Sequence, residues 1–88
     1  MADVNPVWER IAGHVGEMFQ TVTGLEFTYE VPNNYLRVSR TIRNLARSNF
    51  AKALERMPAG GPAELKDRQG ASHTWAILLD PRIRAGDW

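Results

Sequence analysis

The sequence predicts an α+β fold built as one small domain over residues 1–88. Three observations carry this expectation. Apolar residues near the N-terminus recur at helical spacing, residues 25–31 alternate strictly between apolar and polar, and a second helical pattern follows the turn that ends that alternation. The expected order is an N-terminal amphipathic helix, a β-hairpin, a second helix and a short C-terminal apolar helix.

Asn5-Pro6 reads as a helix start, with Asn as N-cap and Pro at the first helical position. Val4, Trp8, Ile11, Val15, Met18 and Val22 then follow at spacings of four and three, with Phe19 beside them. This stripe predicts a helix over residues 6–21 that stops at Gly24. Gly13 and Gly16 lie inside it, each costing up to about 1 kcal/mol relative to Ala, which suggests close approach of another element. The seam is expected to face the core, with a helix-mediated dimer as the alternative.

Leu25, Phe27, Tyr29 and Val31 alternate with Glu26, Thr28 and Glu30, the period of a half-buried strand. Pro32-Asn33-Asn34 supplies turn chemistry, and Leu36 and Val38 resume on a second strand. The hairpin is placed at 25–31 and 35–41. Pairing Val31 with Leu36 sets Glu30 opposite Arg37, Thr28 opposite Ser39 and Phe27 opposite Arg40, which keeps apolar residues on one face. Arg37 then has an exposed cross-strand carboxylate in Glu30, and Arg40 has the Phe27 ring.

After Arg43 the pattern becomes helical, with Asn44 or Ser48 as cap, a buried face of Phe50, Ala53, Leu54 and Met57, and a stop before Pro58. Ala59-Gly60-Gly61-Pro62 is a loop, and residues 62–66 are expected to form one turn of helix before Gly70. Ser72 is the expected cap of a last element over 73–79. Its five consecutive apolar residues suit a buried helix or a buried strand, and the Asp80-Pro81 stop favours the helix. The tail from Arg82 to Trp88 is expected to pack loosely. The expected core is Trp8, Ile11, Val15, Phe19, Phe27, Tyr29, Val38, Phe50, Leu54, Trp75 and Leu78.

Charge is distributed unevenly. Residues 37–56 hold Arg37, Arg40, Arg43, Arg47, Lys52 and Arg56 against Glu55, a net +5, whereas the first 36 residues carry a net −4. The remainder cancels, so a net charge of +1 hides a dipolar chain. The absence of cysteine excludes disulfides and thiolate metal sites and suits a cytoplasmic location. No apolar run approaches a membrane span, no signal peptide is evident, and two histidines do not make a zinc site.

No constellation of residues carries catalysis. No Gly-x-Ser-x-Gly surrounds a serine, and Ser72 and His73 point to different faces of a helix. Glu26 and Glu30 stand about 13–14 Å apart along a strand, too far for a glycosidase pair. Gly60-Gly61 lacks the Lys-Ser/Thr of a phosphate loop. The expectation is therefore a non-enzymatic binding protein with no catalytic residue, no metal and no cofactor.

Arg43, Asn44, Arg47, Asn49, Lys52 and Arg56 are the candidate nucleic-acid contacts, since Arg and Lys hold phosphate and Arg and Asn read base edges. The same residues also suit an acidic protein partner, or simple neutralisation of the acidic segment beside them. A homodimer is expected from the helix seam and the open edge of a two-stranded sheet. A protein-interaction module is the alternative function, with Trp75, Ile83 and Trp88 as its expected apolar patch.

Three segments, Phe27-Thr28-Tyr29-Glu30-Val31, residues 47–54 and residues 75–83, together about a quarter of the chain, resemble stretches of short uncharacterised bacterial proteins, some similar to the cargo of mobile elements. The resemblance implies a bacterial, cytoplasmic protein. It implies no activity and no site residue.

Overall fold

The computed structural model describes residues 4–39, 44–57, 60–65 and 70–86. Its elements are α1 (Val4–Gly13), β1 (Phe19–Gln20), β2 (Glu26–Phe27), β3 (Tyr29–Glu30), β4 (Tyr35–Val38), β5 (Asn44–Ala46), α2 (Arg47–Leu54), a 3₁₀ turn (Pro62–Leu65), α3 (Ala71–Leu79) and α4 (Pro81–Arg84). This is the α+β class expected, with helices packed on small antiparallel sheets.

The alternating segment forms as expected, and it serves two sheets. Its first half, β2, pairs with β1, placing Phe19 opposite Phe27 and Gln20 opposite Glu26. Its second half, β3, pairs with β4, placing Tyr29 opposite Val38 and Glu30 opposite Arg37. That is the register the alternation implied. Thr28 marks the change of partner: its carbonyl accepts from Ser39 N–H at 2.9 Å, and its own N–H donates to Ser39 Oγ at 3.0 Å. Phe27 faces Phe19 on the β1 side, and its expected neighbour Arg40 lies outside the described residues.

Two departures from expectation follow from tertiary pairing. The first helix ends at Gly13, well before residue 21. Gly16 adopts φ +86° and donates its N–H to the Tyr29 carbonyl at 3.3 Å, so the backbone turns away from the helix axis. Phe19 then enters β1, and Thr21 to Leu25 close a hairpin. Thr21 N–H donates to Leu25 O, Gly24 N–H donates to Thr21 O, and Gly24 sits at φ +87°. This is a three-residue loop with a left-handed glycine. The second departure is β5. Residues 44–46 add a third strand, with Leu36 opposite Leu45, where a helix cap was expected. Neither Asn44 nor Ser48 caps α2, whose N-cap is Ala46, and Arg47 N–H instead donates to Asn34 O at 2.9 Å.

The core contains Val7, Trp8, Ile11, Phe19, Phe27, Tyr29, Leu36, Val38, Leu45, Phe50, Leu54, Leu65, Ile77, Leu78 and Ile83. Most of the expected core is there, with two corrections: Val15 is exposed and Trp75 is only partly buried. The residues that expectation left out entered through tertiary contacts. Leu45 joins through β5, Leu65 through the 3₁₀ turn, and Ile83 through α4. The tail is not loose up to Arg84, because Asp80 caps α4 by accepting from Arg82 N–H at 2.9 Å. The last apolar element is the helix α3, entered from Gly70 rather than capped by Ser72.

Gly70 holds φ +58°, and a Cβ there would lie 2.8 Å from Leu45 Cδ2. Leu45 is 1% exposed, so its side chain would have to shift within the core. Gly70→Ala should therefore destabilise the protein by about 1–3 kcal/mol. Urea titration should show a lower midpoint with an unchanged m-value.

Candidate functional site

The expected contact residues fall in different settings. Arg43 lies outside the described residues. Asn44 is exposed on the sheet edge beside Arg37. Arg47 is half-buried, its guanidinium 5.9 Å from the Trp8 ring centroid and bonded to Asn5 Oδ1. Asn49 is buried, with Nδ2 donating to Thr74 Oγ1 at 3.3 Å across α2 and α3. Lys52 and Arg56 are exposed, and Arg56 Nη1 donates to Glu64 O at 3.2 Å. At 3.6 residues per turn, Arg47 and Lys52 stand about 140° apart around α2. Asn49 thus serves helix packing, and Arg47 and Lys52 lie on different faces of α2. A concavity of about 470 Å³ lies over the sheet, lined by Thr28, Glu30, Arg37, Ser39 and Asn44 among others. Glu30 faces Arg37 in register there, without a salt bridge between them.

The second concavity was not expected. A groove of about 440 Å³ runs between β1 and α3, lined by Met18, Phe19, Gln20, Trp75, Ala76, Leu79, Asp80 and Arg82. Its position follows from the early end of α1, which releases residues 14–25 into a turn and a hairpin. Val15 is 43% exposed, Met18 53%, Val22 59% and Leu25 56%. The large exposed apolar side chains among the described residues therefore all fall within this short stretch. Two signals in the sequence mark it. Thr21-Val22-Thr23 is β-branched, which disfavours helix, and Gly24 supplies the left-handed loop position.

Arg82 organises one end of the groove. Its guanidinium lies 3.9 Å from the Phe19 ring centroid. It donates to Asp80 Oδ1 and Oδ2 at 2.9 Å, to Glu17 Oε1 at 3.0 Å and to Met18 O at 2.9 Å. His14 Nδ1 lies 2.8 Å from Glu17 Oε2 and extends the network toward α1. These contacts tie the turn after α1 to the Asp80-Pro81 corner. The bond from His14, reinforced by Arg82, holds the Glu17 carboxyl below its usual range. Bonds from Arg82 do the same for Asp80 against the opposing effect of burial. On the core side His73 meets the Phe27 ring edge-on at 4.8 Å, and burial lowers its imidazole pKa.

Among the described residues, no group of three or more His, Asp or Glu side chains is placed to hold a metal ion, and no helix is long and apolar enough to cross a membrane. Comparison with protein-family models, with curated proteins and with solved structures finds no match to this chain.

Of the shifted groups, His73 and Asp80 predict a two-stage loss of stability in acid. The fold disfavours protonation of His73, so the unfolded chain binds that proton first. Stability should decline as pH falls below the ordinary value of 6.5 and approaches the lower folded value. Asp80 is favoured as the carboxylate, so its contribution is present above 3.8 and lost as pH falls through its depressed native value. Thermal melts across this range should show both limbs. His73→Phe should flatten the first, and Asp80→Asn, which keeps a capping oxygen, should flatten the second.

Proposed function

We propose that this chain is a small non-enzymatic binding protein whose contact surface for another protein is the β1–β2 hairpin and the groove beside it. The observation that supports the reading is the concentration of exposed Val15, Met18, Val22 and Leu25 in one short stretch, of which Met18 lines a concavity partly walled by Trp75 and Leu79. Single exposed apolar residues need no explanation, but a group of them beside a groove is characteristic of interaction sites. The patch differs from the one expected at the C-terminal end. Ile83 is fully buried, and Trp88 lies outside the described residues. The seam that suggested a homodimer is also interrupted, since Val15, Met18 and Val22 do not continue α1. A cytoplasmic setting suits the cysteine-free sequence.

Val22→Asp together with Leu25→Asp should leave the melting temperature within a few degrees of wild type, because both side chains are exposed at the hairpin loop. Quantitative affinity capture from the source cell should recover at least one protein about tenfold less with the variant. Equal recovery of every captured protein would count against the hairpin as a contact surface.

A second reading keeps the basic segment as a polyanion surface. It draws on Arg37 and Lys52, exposed cations with no ion-pair or side-chain hydrogen-bond partner among the described residues. On this reading Arg47→Ala with Lys52→Ala weakens duplex or single-strand binding across all sequences and reduces its salt dependence. Fluorescence anisotropy between about 50 and 200 mM salt tests it, and affinity unchanged by the pair rejects it.

A further inference from the structure

The concavity over the outer face of the β3-β4-β5 sheet collects polar side chains by register. Thr28 and Glu30 share that face by strand alternation. Arg37 stands opposite Glu30, Asn44 stands opposite Arg37, and Ser39 is bonded to Thr28. All five line a space of about 470 Å³, and Tyr29 and Val38 complete it with their side chains buried on the other side of the sheet. Glu30, Arg37, Ser39 and Asn44 are exposed, and Thr28 is half-buried. Among the described residues, the Glu30 carboxylate, the Arg37 guanidinium and the Asn44 amide have no ion-pair or hydrogen-bond partner. A fork of charged donors and a pair of charged acceptors therefore stand open on neighbouring strands.

That combination selects a ligand. A simple anion on Arg37 lies against the Glu30 carboxylate, and a simple cation on Glu30 lies against the guanidinium, so each is attracted by one group and repelled by the other. A dipolar molecule that carries both charges close together satisfies both groups. Independently of the hairpin surface, we propose that this face binds a free α-amino acid with a neutral polar side chain. Its carboxylate accepts parallel N–H bonds from Arg37, whose planar guanidinium matches a carboxylate two to two. Its ammonium donates to Glu30 on β3. Its side chain lies toward β5, where the Asn44 amide offers both a donor and an acceptor. Ser39 Oγ, which accepts from Thr28 N–H, keeps its own proton to donate.

The test titrates the full chain by NMR, following the backbone amides of residues 28–39. The probes are L-glutamine, the amine left by its decarboxylation and the acid left by its deamination. L-Glutamine should saturate at about 1–10 mM, as fits an open site with few contacts. Both analogues should bind at least about tenfold more weakly, since each leaves one protein charge unmatched. Glu30→Gln should erase the advantage of L-glutamine over the deaminated acid, and Arg37→Gln should erase its advantage over the amine. Asn44→Ala should remove its preference over glycine. The three side chains are exposed, so circular dichroism should show every variant folded. Exchanging the charges, Glu30→Arg with Arg37→Glu, should restore binding that each single variant loses, which a merely structural role would not do. The deaminated acid binding as tightly as L-glutamine overturns the proposal by making this an anion site. A single-stranded oligonucleotide that binds here more tightly still, with affinity raised by Glu30→Gln, overturns it in favour of a polyanion surface. No saturable shift with L-glutamine overturns it outright. Each of these results leaves the hairpin contact surface untouched, because Val22 and Leu25 take no part in this face.

Discussion

Tyr29 is the residue on which the architecture turns. Its ring is fully buried and packs 5.1 Å from Phe19, its hydroxyl donates to the Ile11 carbonyl at 2.6 Å, and its own carbonyl accepts from Gly16 N–H. One residue of β3 thereby holds the end of α1, the turn that follows and the start of β1. Burial pushes its phenol pKa well above the ordinary value, so the hydroxyl keeps its proton and remains a donor. A polar tip buried this deeply is tolerable because it is paired; left without Ile11 O it would carry the full desolvation penalty.

Short strands explain why such a junction is needed. β1, β2 and β3 contain two residues each, too few to persist without packing. Their stability comes from the aromatic stack of Phe19, Phe27 and Tyr29, with His73 on one side and Arg82 on the other. Arg82 joins this apolar unit to a polar one. The guanidinium covers Phe19 while its hydrogens satisfy Asp80, Glu17 and a backbone carbonyl. The groove lies beside that arrangement, lined from β1 by Phe19 and Gln20 and from α3 by Trp75, Ala76 and Leu79.

The difference between what was legible and what was not is physical. The 25–31 alternation was legible because strand periodicity depends only on which face is buried, and Leu36 and Val38 could match it in one register alone. The buried face of α2, Phe50, Ala53 and Leu54, was legible for the same reason at helical period. Residues 14–25 were not. Val15, Met18 and Val22 extend the helical spacing of Trp8 and Ile11, and periodicity cannot register that Gly16 N–H has a better partner in Tyr29 O than in its own helix. The groove depends on that misread stretch and was hidden with it. The basic residues were visible as a run in sequence, but that Asn49 turns inward to Thr74 and Arg47 settles against Trp8 was not.

The sequence alone determined the α+β class, the 29–38 pairing, the polar-out register of Glu30 and Arg37, and the charge dipole along the chain. Each rests on local pattern or composition and needs no knowledge of distant contacts. Tertiary structure decided where α1 stops, that the alternating segment is shared between two sheets, that residues 44–46 become a strand, and that Ile83 is core. These outcomes hang on hydrogen bonds and packing between residues far apart in the chain: Tyr29 with Ile11, Arg82 with Glu17, Arg10 with the Ile83 carbonyl. Interactions of that kind override a helical propensity already weakened by Gly13 and Gly16, because a few paired, buried groups outweigh the small per-residue preference for helix.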